Sequence, residues 1–269
     1  MNPPDVTRDL LRSVSRTFYL SVRILPAALR ETMGVAYLLA RTSDTIADSE
    51  GTPVPMRLRR LEEFGKMIQS GATPQFIGNI QRDIQPAHAG ERALIAALPR
   101  VMERFGAFKP WDWKETLDLL SNIIRGQSND LRTFSDPGQI TALSDAHSLE
   151  DYAYLVAGRC YLPADELQNA GADPRALLDN PAAAQPVFDA WMAKARGFLD
   201  EGRDYIRAVR PWRVRFACYL PWRLAGRTLD LMAATPPLGS AEKVKVSRPM
   251  VYGTMLRGFV AAFSNGPLR

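Results

Sequence analysis

The stretch from Ser13 to Asp48 constrains the fold most, because its apolar residues recur with the period of an α-helix. The run ends in Asp44 and Asp48, and a helix would carry both carboxylates on one face, one turn apart. Tyr37 and Arg41 extend the same stripe. Such a stripe suits Mg²⁺, which binds carboxylate oxygens and keeps positions for water and substrate phosphates. A solvated helix face is the simpler interpretation of an isolated DxxxD pattern, so the surrounding sequence has to decide.

Helical periodicity continues along the chain, and no segment alternates convincingly as a strand would. We therefore predict an all-α fold. No Gly/Ser linker or repeat divides the sequence, so we expect one domain over residues 1–269. The predicted helices cover 6–19, 27–47, 56–70, 93–105, 111–132, 148–158, 186–209, 213–234 and 251–263, with a connection over 71–90.

Arginine dominates the positive charge, with 28 Arg and 6 Lys against 29 acidic residues and a net charge of +5. Guanidinium groups fit phosphates and carboxylates, but an anionic membrane or a nucleic acid would attract them too. Cys160 and Cys218 are too few for a disulfide framework. Without a signal-peptide pattern or an apolar run of about 18 residues, we expect a cytoplasmic protein, at most peripheral on the inner membrane face.

Three further groups could carry chemistry, and each has a plain structural alternative. Gln127 and Asp130 are polar residues in an otherwise apolar helix, where a solvated helix end would explain them. Tyr152 and Tyr154 stand beside small residues, although tyrosines on a buried face usually belong to a core. The third group is basic and aromatic and covers 207–227 and 243–248. It suits a membrane interface, a nucleic-acid surface or an ordinary amphipathic helix with extended arginines.

Taken together, these segments resemble the squalene/phytoene synthase family of head-to-head prenyl transferases. The resemblance is carried by SRTFYLSVRILP at 15–26, YLLARTSDTIAD at 37–48, the polar patch at 126–130, DYAYLVAG at 151–158, GRCYLPADEL at 158–167, and YLPWRLAGRTLDLM at 219–232 followed by KVKVSR at 243–248. It implies an isoprenoid-synthase-type helical bundle around a central apolar channel.

The resemblance also implies roles for individual residues. Asp44 and Asp48 match the carboxylates that hold Mg²⁺, with Mn²⁺ as an alternative ion. The residues matching diphosphate contacts or the border of the pocket are Ser15, Arg16, Thr17, Arg41, Gln127 and Asp130. Tyr152 and Tyr154 both remain candidates for the tyrosine near the departing proton. Lys243, Lys245 and Arg248 could reach the phosphates of NADPH, although a mobile basic loop is an equal interpretation of that segment.

The implied reaction joins two molecules of farnesyl diphosphate head to head through presqualene diphosphate and reduces the product with NADPH. We expect the product to be squalene, because the sequences of 37–48 and 243–253 resemble those of bacterial squalene synthases. Phytoene or dehydrosqualene synthesis, without NADPH, is the alternative. A non-catalytic helical protein that binds lipid or a membrane surface is a competing hypothesis, and a head-to-tail prenyl transferase or terpene cyclase ranks lower. We expect no nucleic-acid partner.

One departure from the family pattern concerns the junction of Gly158 and Arg159. Family members carry a second Asp-rich motif between the segments that match 151–158 and 158–167, and these segments are contiguous here. A helical segment of about 40 residues, at ordinary helix lengths, is therefore absent at this junction. We expect that it has been omitted from a longer parent sequence, since every flanking motif is intact. The chain would then supply one side of a metal site and catalyse poorly.

Overall fold

The computed structural model describes residues 6–15, 18–134, 164–173, 180–234 and 246–264. These ranges contain no strand, which confirms the all-α prediction. The helices are α1 (Val6–Val14), α2 (Phe18–Ile24), α3 (Ala27–Ala47), α4 (Val54–Ser70), α5 (Pro74–Asp83), α6 (Ala89–Ala96), α7 (Leu98–Gly106), α8 (Pro110–Thr133), α9 (Ala164–Asn169), α10 (Gln185–Ala208), α11 (Trp212–Ala233) and α12 (Arg248–Ser264), with a 3₁₀ turn at Pro181–Ala184.

The chain divides into two compact units. The first contains α1 and α3 to α8, and the second contains α9 to α12, while α2 contributes residues to both. The single domain expected from the sequence stays a prediction.

Helix α3 is the centre of the first unit and packs against α1, α4, α6, α7 and α8. Val35, Leu38, Leu39 and Ile46 are fully buried on it. Its buried face also carries hydroxyl groups, which stay satisfied because they donate to carbonyls of the preceding turn. The Oγ1 of Thr42, for example, donates to the Leu38 carbonyl at 2.9 Å. The helix can therefore bury polar residues and still expose the stripe that ends in Asp48.

The second unit is built on the packing of α10 against α11 and of α11 against α12. Ile206 and Tyr219 form a small buried cluster with Trp222 against it, and the Trp222 Nε1 donates to the Leu199 carbonyl at 2.6 Å. Gly258 of α12 is close to the Tyr219 ring, where an added Cβ would be 2.6 Å from ring carbons. Within the described residues, no helix is long and apolar enough to cross a membrane.

Three sequence predictions of local structure are wrong. The helix predicted over 6–19 ends at Val14 and a separate helix begins at Phe18. The connection predicted over 71–90 contains α5, because Thr73 caps its start by accepting from the Phe76 N–H and Pro74 occupies its first position. The helix predicted over 93–105 is two helices that meet at Ala97, where Pro99 starts the second.

The longer helices agree with the prediction to within about two or three residues, as expected for boundaries assigned by different criteria. Helix α3 matches at both ends. The short helix α9 was not predicted, and the helix predicted over 148–158 lies outside the described residues.

Candidate active site

The polar stripe predicted around Asp44 lies on α3. Tyr37, Arg41 and Asp44 are partly exposed, and Asp48 follows the last residue of the helix. The Asp48 N–H donates to the Asp44 carbonyl at 2.8 Å, so helical bonding continues to Asp48. The ring of Phe18 stacks on Tyr37 with 4.3 Å between ring centroids. The stripe therefore places an aromatic pair at one end and two carboxylates at the other.

Gln127 of α8 contacts this stripe at Asp44. Its Nε2 donates to Asp44 Oδ1 at 2.6 Å, while the Arg41 Nη1 is 3.5 Å from Asp44 Oδ2. Each oxygen of the carboxylate therefore faces a different donor. Asp130 lies three residues further along α8 and is partly exposed. The structure thus brings Gln127 to the stripe of Asp44 and Arg41, although the two groups are far apart in the sequence.

Glu91 of α6 joins this group, and the sequence analysis did not identify it. Its carboxylate forms an ion pair with the Arg41 Nη2, and only 15% of its side chain is exposed. Gly90 allows this approach, because an added Cβ would be 2.6 Å from the carbonyl oxygen of Ser13. Glu91 lies between the predicted connection and the predicted helix, and no motif marks it. Only the packing of α6 against α1 and α3 reveals it.

Two pKa values are displaced within the group. Burial raises the pKa of Asp44, and the charge of Asp48 adds to this rise, while Arg41 and Gln127 act against it. Burial lowers the pKa of Arg41, but the carboxylates of Glu91 and Asp44 outweigh burial, so this pKa lies above its ordinary value. Asp44 consequently carries its charge at a cost that a nearby cation would offset.

Two buried polar atoms of the group favour a ligand. Among the described residues, four side-chain atoms are buried without a hydrogen-bond partner: the Nε of Arg57 and of Arg203 lie elsewhere, while the Arg41 Nε and the Gln127 Oε1 belong to this group. Native structures contain few such atoms, and an absent ligand is one explanation for them. The described residues contain no cluster of three or more metal-binding side chains. Two carboxylates nevertheless fit one side of a Mg²⁺ site, because this ion commonly completes its shell with water and substrate phosphates.

The remaining predicted residues contribute less to this geometry. Ser15 is buried directly after α1, and its Oγ accepts from the Tyr19 N–H at 3.2 Å. Arg248 begins α12, although its side chain lies outside the described part of the structure. The other predicted site residues that lie outside the described residues are Arg16, Thr17, Tyr152, Tyr154, Lys243 and Lys245.

A family model described as squalene/phytoene synthase matches residues 11–159 and 157–249. The chain belongs to the squalene/phytoene synthase family. This confirms the family resemblance found in the sequence, and members of the family are prenyl transferases that act on prenyl diphosphates with divalent metal ions.

Two curated relatives are similar to the chain in sequence, and two solved structures are similar to it in fold. Phytoene synthases of Mycobacterium bovis and Mycobacterium tuberculosis are each 26% identical over 270 aligned residues, covering 90% of this chain and 85% of the relative. The squalene synthase TcSQS in complex with E5700 has a TM-score of 0.71 at 16% identity, covering 96% of this chain and 89% of that chain. Its complex with BPH1237 has a TM-score of 0.70 at 17% identity, covering 95% and 85%.

Proposed function

We propose that this protein condenses two prenyl diphosphates head to head at the carboxylate stripe of α3. The observation that carries the proposal is the environment of Asp44, which lies between Gln127 and Arg41 beside two unpartnered buried polar atoms. This arrangement offers oxygen donors for a cation and guanidinium N–H groups for a diphosphate within one small region. Two molecules of farnesyl diphosphate are the proposed substrates.

Each residue of the group has a defined task in the proposed reaction. Asp44 and Asp48 hold Mg²⁺, and Gln127 keeps the Asp44 carboxylate in one orientation. When bound, Mg²⁺ neutralises the charge that develops on the leaving diphosphate. Arg41 donates hydrogen bonds to the same diphosphate as its C–O bond breaks.

The aromatic pair has a task at the carbon end of the substrate. Cleavage of the C–O bond leaves an allylic cation, which water would quench. The stacked rings of Phe18 and Tyr37 lie one turn from Arg41 and would stabilise this cation through their π-faces. Tyr152 or Tyr154 is the proposed residue near the proton that leaves when the cyclopropyl intermediate forms.

Squalene is the product that we propose, with NADPH as the reductant near Lys243, Lys245 and Arg248. This choice rests on the similarity of segments 37–48 and 243–253 to bacterial squalene synthases. A second candidate is a phytoene-type product made without a reductant, and the names of the two mycobacterial relatives favour it. Both products require the same type of first condensation, so Asp44 would have the same metal-binding role in either reaction.

We further propose that a helical segment is missing at Gly158 and Arg159. The two stretches matched by the family model adjoin at residues 157–159. The alignment with the mycobacterial relatives is 270 positions long although it covers 90% of this 269-residue chain, so those relatives have residues that this chain lacks. In the proposal, the missing segment carries the carboxylates that face Asp44 and Asp48.

Substitution of Asp44 by asparagine tests the function. We expect Asp44→Asn to lower the rate of Mg²⁺-dependent farnesyl diphosphate consumption by about 10³-fold, because charge neutralisation by a metal contributes several kcal/mol. Exposed Asp118 of α8 supplies the matched control, and Asp118→Asn should leave the rate unchanged. Because the chain itself is expected to turn over slowly, Mg²⁺-dependent binding of a non-ionisable thio-diphosphate analogue is measured by calorimetry in parallel.

The same experiment separates the competing functions. Unchanged binding and turnover in Asp44→Asn would contradict the proposal and favour a lipid-binding protein. Mass spectrometry of the extracted product, with and without NADPH, distinguishes squalene from dehydrosqualene. Preference for geranylgeranyl diphosphate over farnesyl diphosphate would identify the phytoene-type reaction.

A further inference from the structure

The guanidinium group of Arg41 contacts two carboxylates, and its contact with Glu91 is closer than its contact with Asp44. The Nη2 forms a close ion pair with Glu91, whereas the Nη1 is 3.5 Å from Asp44, the upper limit of a hydrogen bond. Glu91 is also the more buried carboxylate, with 15% of its side chain exposed against 41% for Asp44. The guanidinium is therefore bound chiefly to Glu91 rather than to its neighbour on α3.

We propose that Glu91 is a positioning residue that binds the Arg41 guanidinium, limits its pairing with Asp44 to one long contact and so keeps the Asp44 carboxylate available to a divalent cation. The proposal rests on the proposed function, in which Asp44 binds the metal. Glu91 touches neither metal nor substrate in this arrangement and acts only through Arg41.

Arg41 would compete with a cation for Asp44 if Glu91 released it. The two residues are three positions apart on one helix, a spacing at which side chains meet, and guanidinium and carboxylate groups readily form a pair of parallel hydrogen bonds. Such a pair would occupy oxygen lone pairs that a metal ion needs. The charge of Arg41 would also repel the ion directly.

The fold fixes Glu91 in the position that this role requires. Glu91 lies in the first turn of α6, where a negative charge is favourable because of the helix dipole. The preceding residue, Gly90, contacts the backbone of Ser13 in α1 so closely that a side chain would not fit. The absence of a side chain at Gly90 lets α6 pack closely on α1, and α6 also packs on α3, which carries Arg41, so the Glu91 carboxylate lies beside Arg41.

Metal binding tests the proposal independently of turnover. The probe is Mn²⁺ with inorganic pyrophosphate, and the free ion is measured by electron paramagnetic resonance. We expect Glu91→Gln to weaken Mn²⁺ binding about tenfold, a typical coupling between contacting residues. Glu91→Asp should retain most of the affinity. Glu31 pairs with Arg104 between α3 and α7, and Glu31→Gln is the matched control that should not change binding.

The double variant Arg41→Ala/Glu91→Gln distinguishes the mechanism from a simple loss of negative charge. If Glu91 acts through Arg41, the double variant should bind Mn²⁺ as Arg41→Ala alone does. An effect of Glu91→Gln that persists undiminished without Arg41 would overturn the proposal, as would wild-type affinity in Glu91→Gln. Circular dichroism melting verifies that each variant is folded.

The variant Asp44→Asn keeps the two hypotheses apart. If it binds Mn²⁺ as the wild type does, the metal does not use Asp44 and the proposed function fails together with this inference. If Asp44→Asn loses binding while Glu91→Gln retains it, only the role of Glu91 is rejected.

Discussion

Arg60 and Arg41, both in the first unit, each contact two carboxylates. They differ in whether their other N–H groups have hydrogen-bond partners. Arg60 of α4 is 4% exposed, and all three of its nitrogens have partners: Nε with Asp83 at 2.9 Å, Nη1 with Glu63, and Nη2 with the sulfur of Met56 at 3.5 Å. Arg41 has a side chain 30% exposed, one long contact and a buried Nε without a partner.

The comparison separates a completed network from an incomplete one. Arg60 joins α4 to α5, and its donors are used within the protein, which is the arrangement expected of a residue that stabilises the fold. Arg41 keeps donor capacity beside Asp44, whose pKa is raised by burial. Ion pairing with two carboxylates does not distinguish the two residues, whereas their exposure and the unsatisfied Arg41 Nε do.

Removing Arg60 should have the largest effect on stability. Arg60→Gln leaves the carboxylates of Glu63 and Asp83 together, with 16% and 14% of their side chains exposed. We expect the free energy of unfolding to fall by about 3–5 kcal/mol, the usual cost of breaking a buried ion pair. Urea denaturation measures it. Arg82→Gln removes an exposed partner of Asp83 and should change stability little. Equal losses of unfolding free energy in Arg60→Gln and Arg82→Gln would contradict a special role of Arg60 in stability.

Removing Arg41 should lower activity strongly and stability only slightly, the opposite of what we expect for Arg60. Arg41→Gln is expected to lower turnover of the prenyl diphosphate by about 10²-fold, as is typical for the loss of one donor to a developing anion. Its loss of stability in urea should be smaller than that of Arg60→Gln, because the site is partly exposed. Arg104→Gln, which breaks the exposed Glu31 pair, is the control and should retain activity. Full activity in Arg41→Gln would place Arg41 with the structural arginines.

Local signals in the sequence predicted most of the fold. Helix α3 was predicted at both ends because Pro26 precedes it and apolar residues recur along 27–47 with helical period. Helix α5 is not predicted, because the glycines and prolines around it indicate a connection. The signal that favours a helix there is the Thr73 cap. The break at Ala97 depends on a single proline two residues later, within a pattern whose apolar period continues across it.

The candidate site shows where such signals end. Asp44, Asp48 and Arg41 share one helix, so their spacing was enough to group them. Gln127 and Asp44 are 83 positions apart and are in contact. The family resemblance, rather than helical periodicity, indicates that Gln127 borders the pocket. Glu91 is 50 residues from Arg41 in a segment without a motif, and its position depends on the close approach of Gly90 to Ser13. Contacts of this kind are set by packing between helices.

The smallest predicted effect concerns pH, and it has opposite signs at the two arginine sites. Hydrogen bonding from Arg82, with further help from Arg60, lowers the pKa of Asp83 below its ordinary 3.8. Asp83 therefore stabilises the fold above that value, and this contribution is lost as the pH falls through the lowered pKa. Burial raises the pKa of Asp44, so its ionisation opposes folding, and this penalty disappears as the pH falls below its ordinary value.

Melting temperatures of two asparagine variants, measured with a chelator present, test these signs. Relative to the wild type, Asp83→Asn should be less stable near pH 7, and the difference should shrink as the pH falls through the lowered pKa of Asp83, where the wild-type carboxylate also becomes neutral. Asp44→Asn should lack the ionisation penalty near pH 7, and its relative stability should decrease on acidification. Parallel pH dependences in the two variants would mean that burial and the charge of Asp48 do not raise the pKa of Asp44. Opposite slopes would show that the ionised carboxylate of Asp44 is held at a cost to folding, a cost that a bound cation would offset.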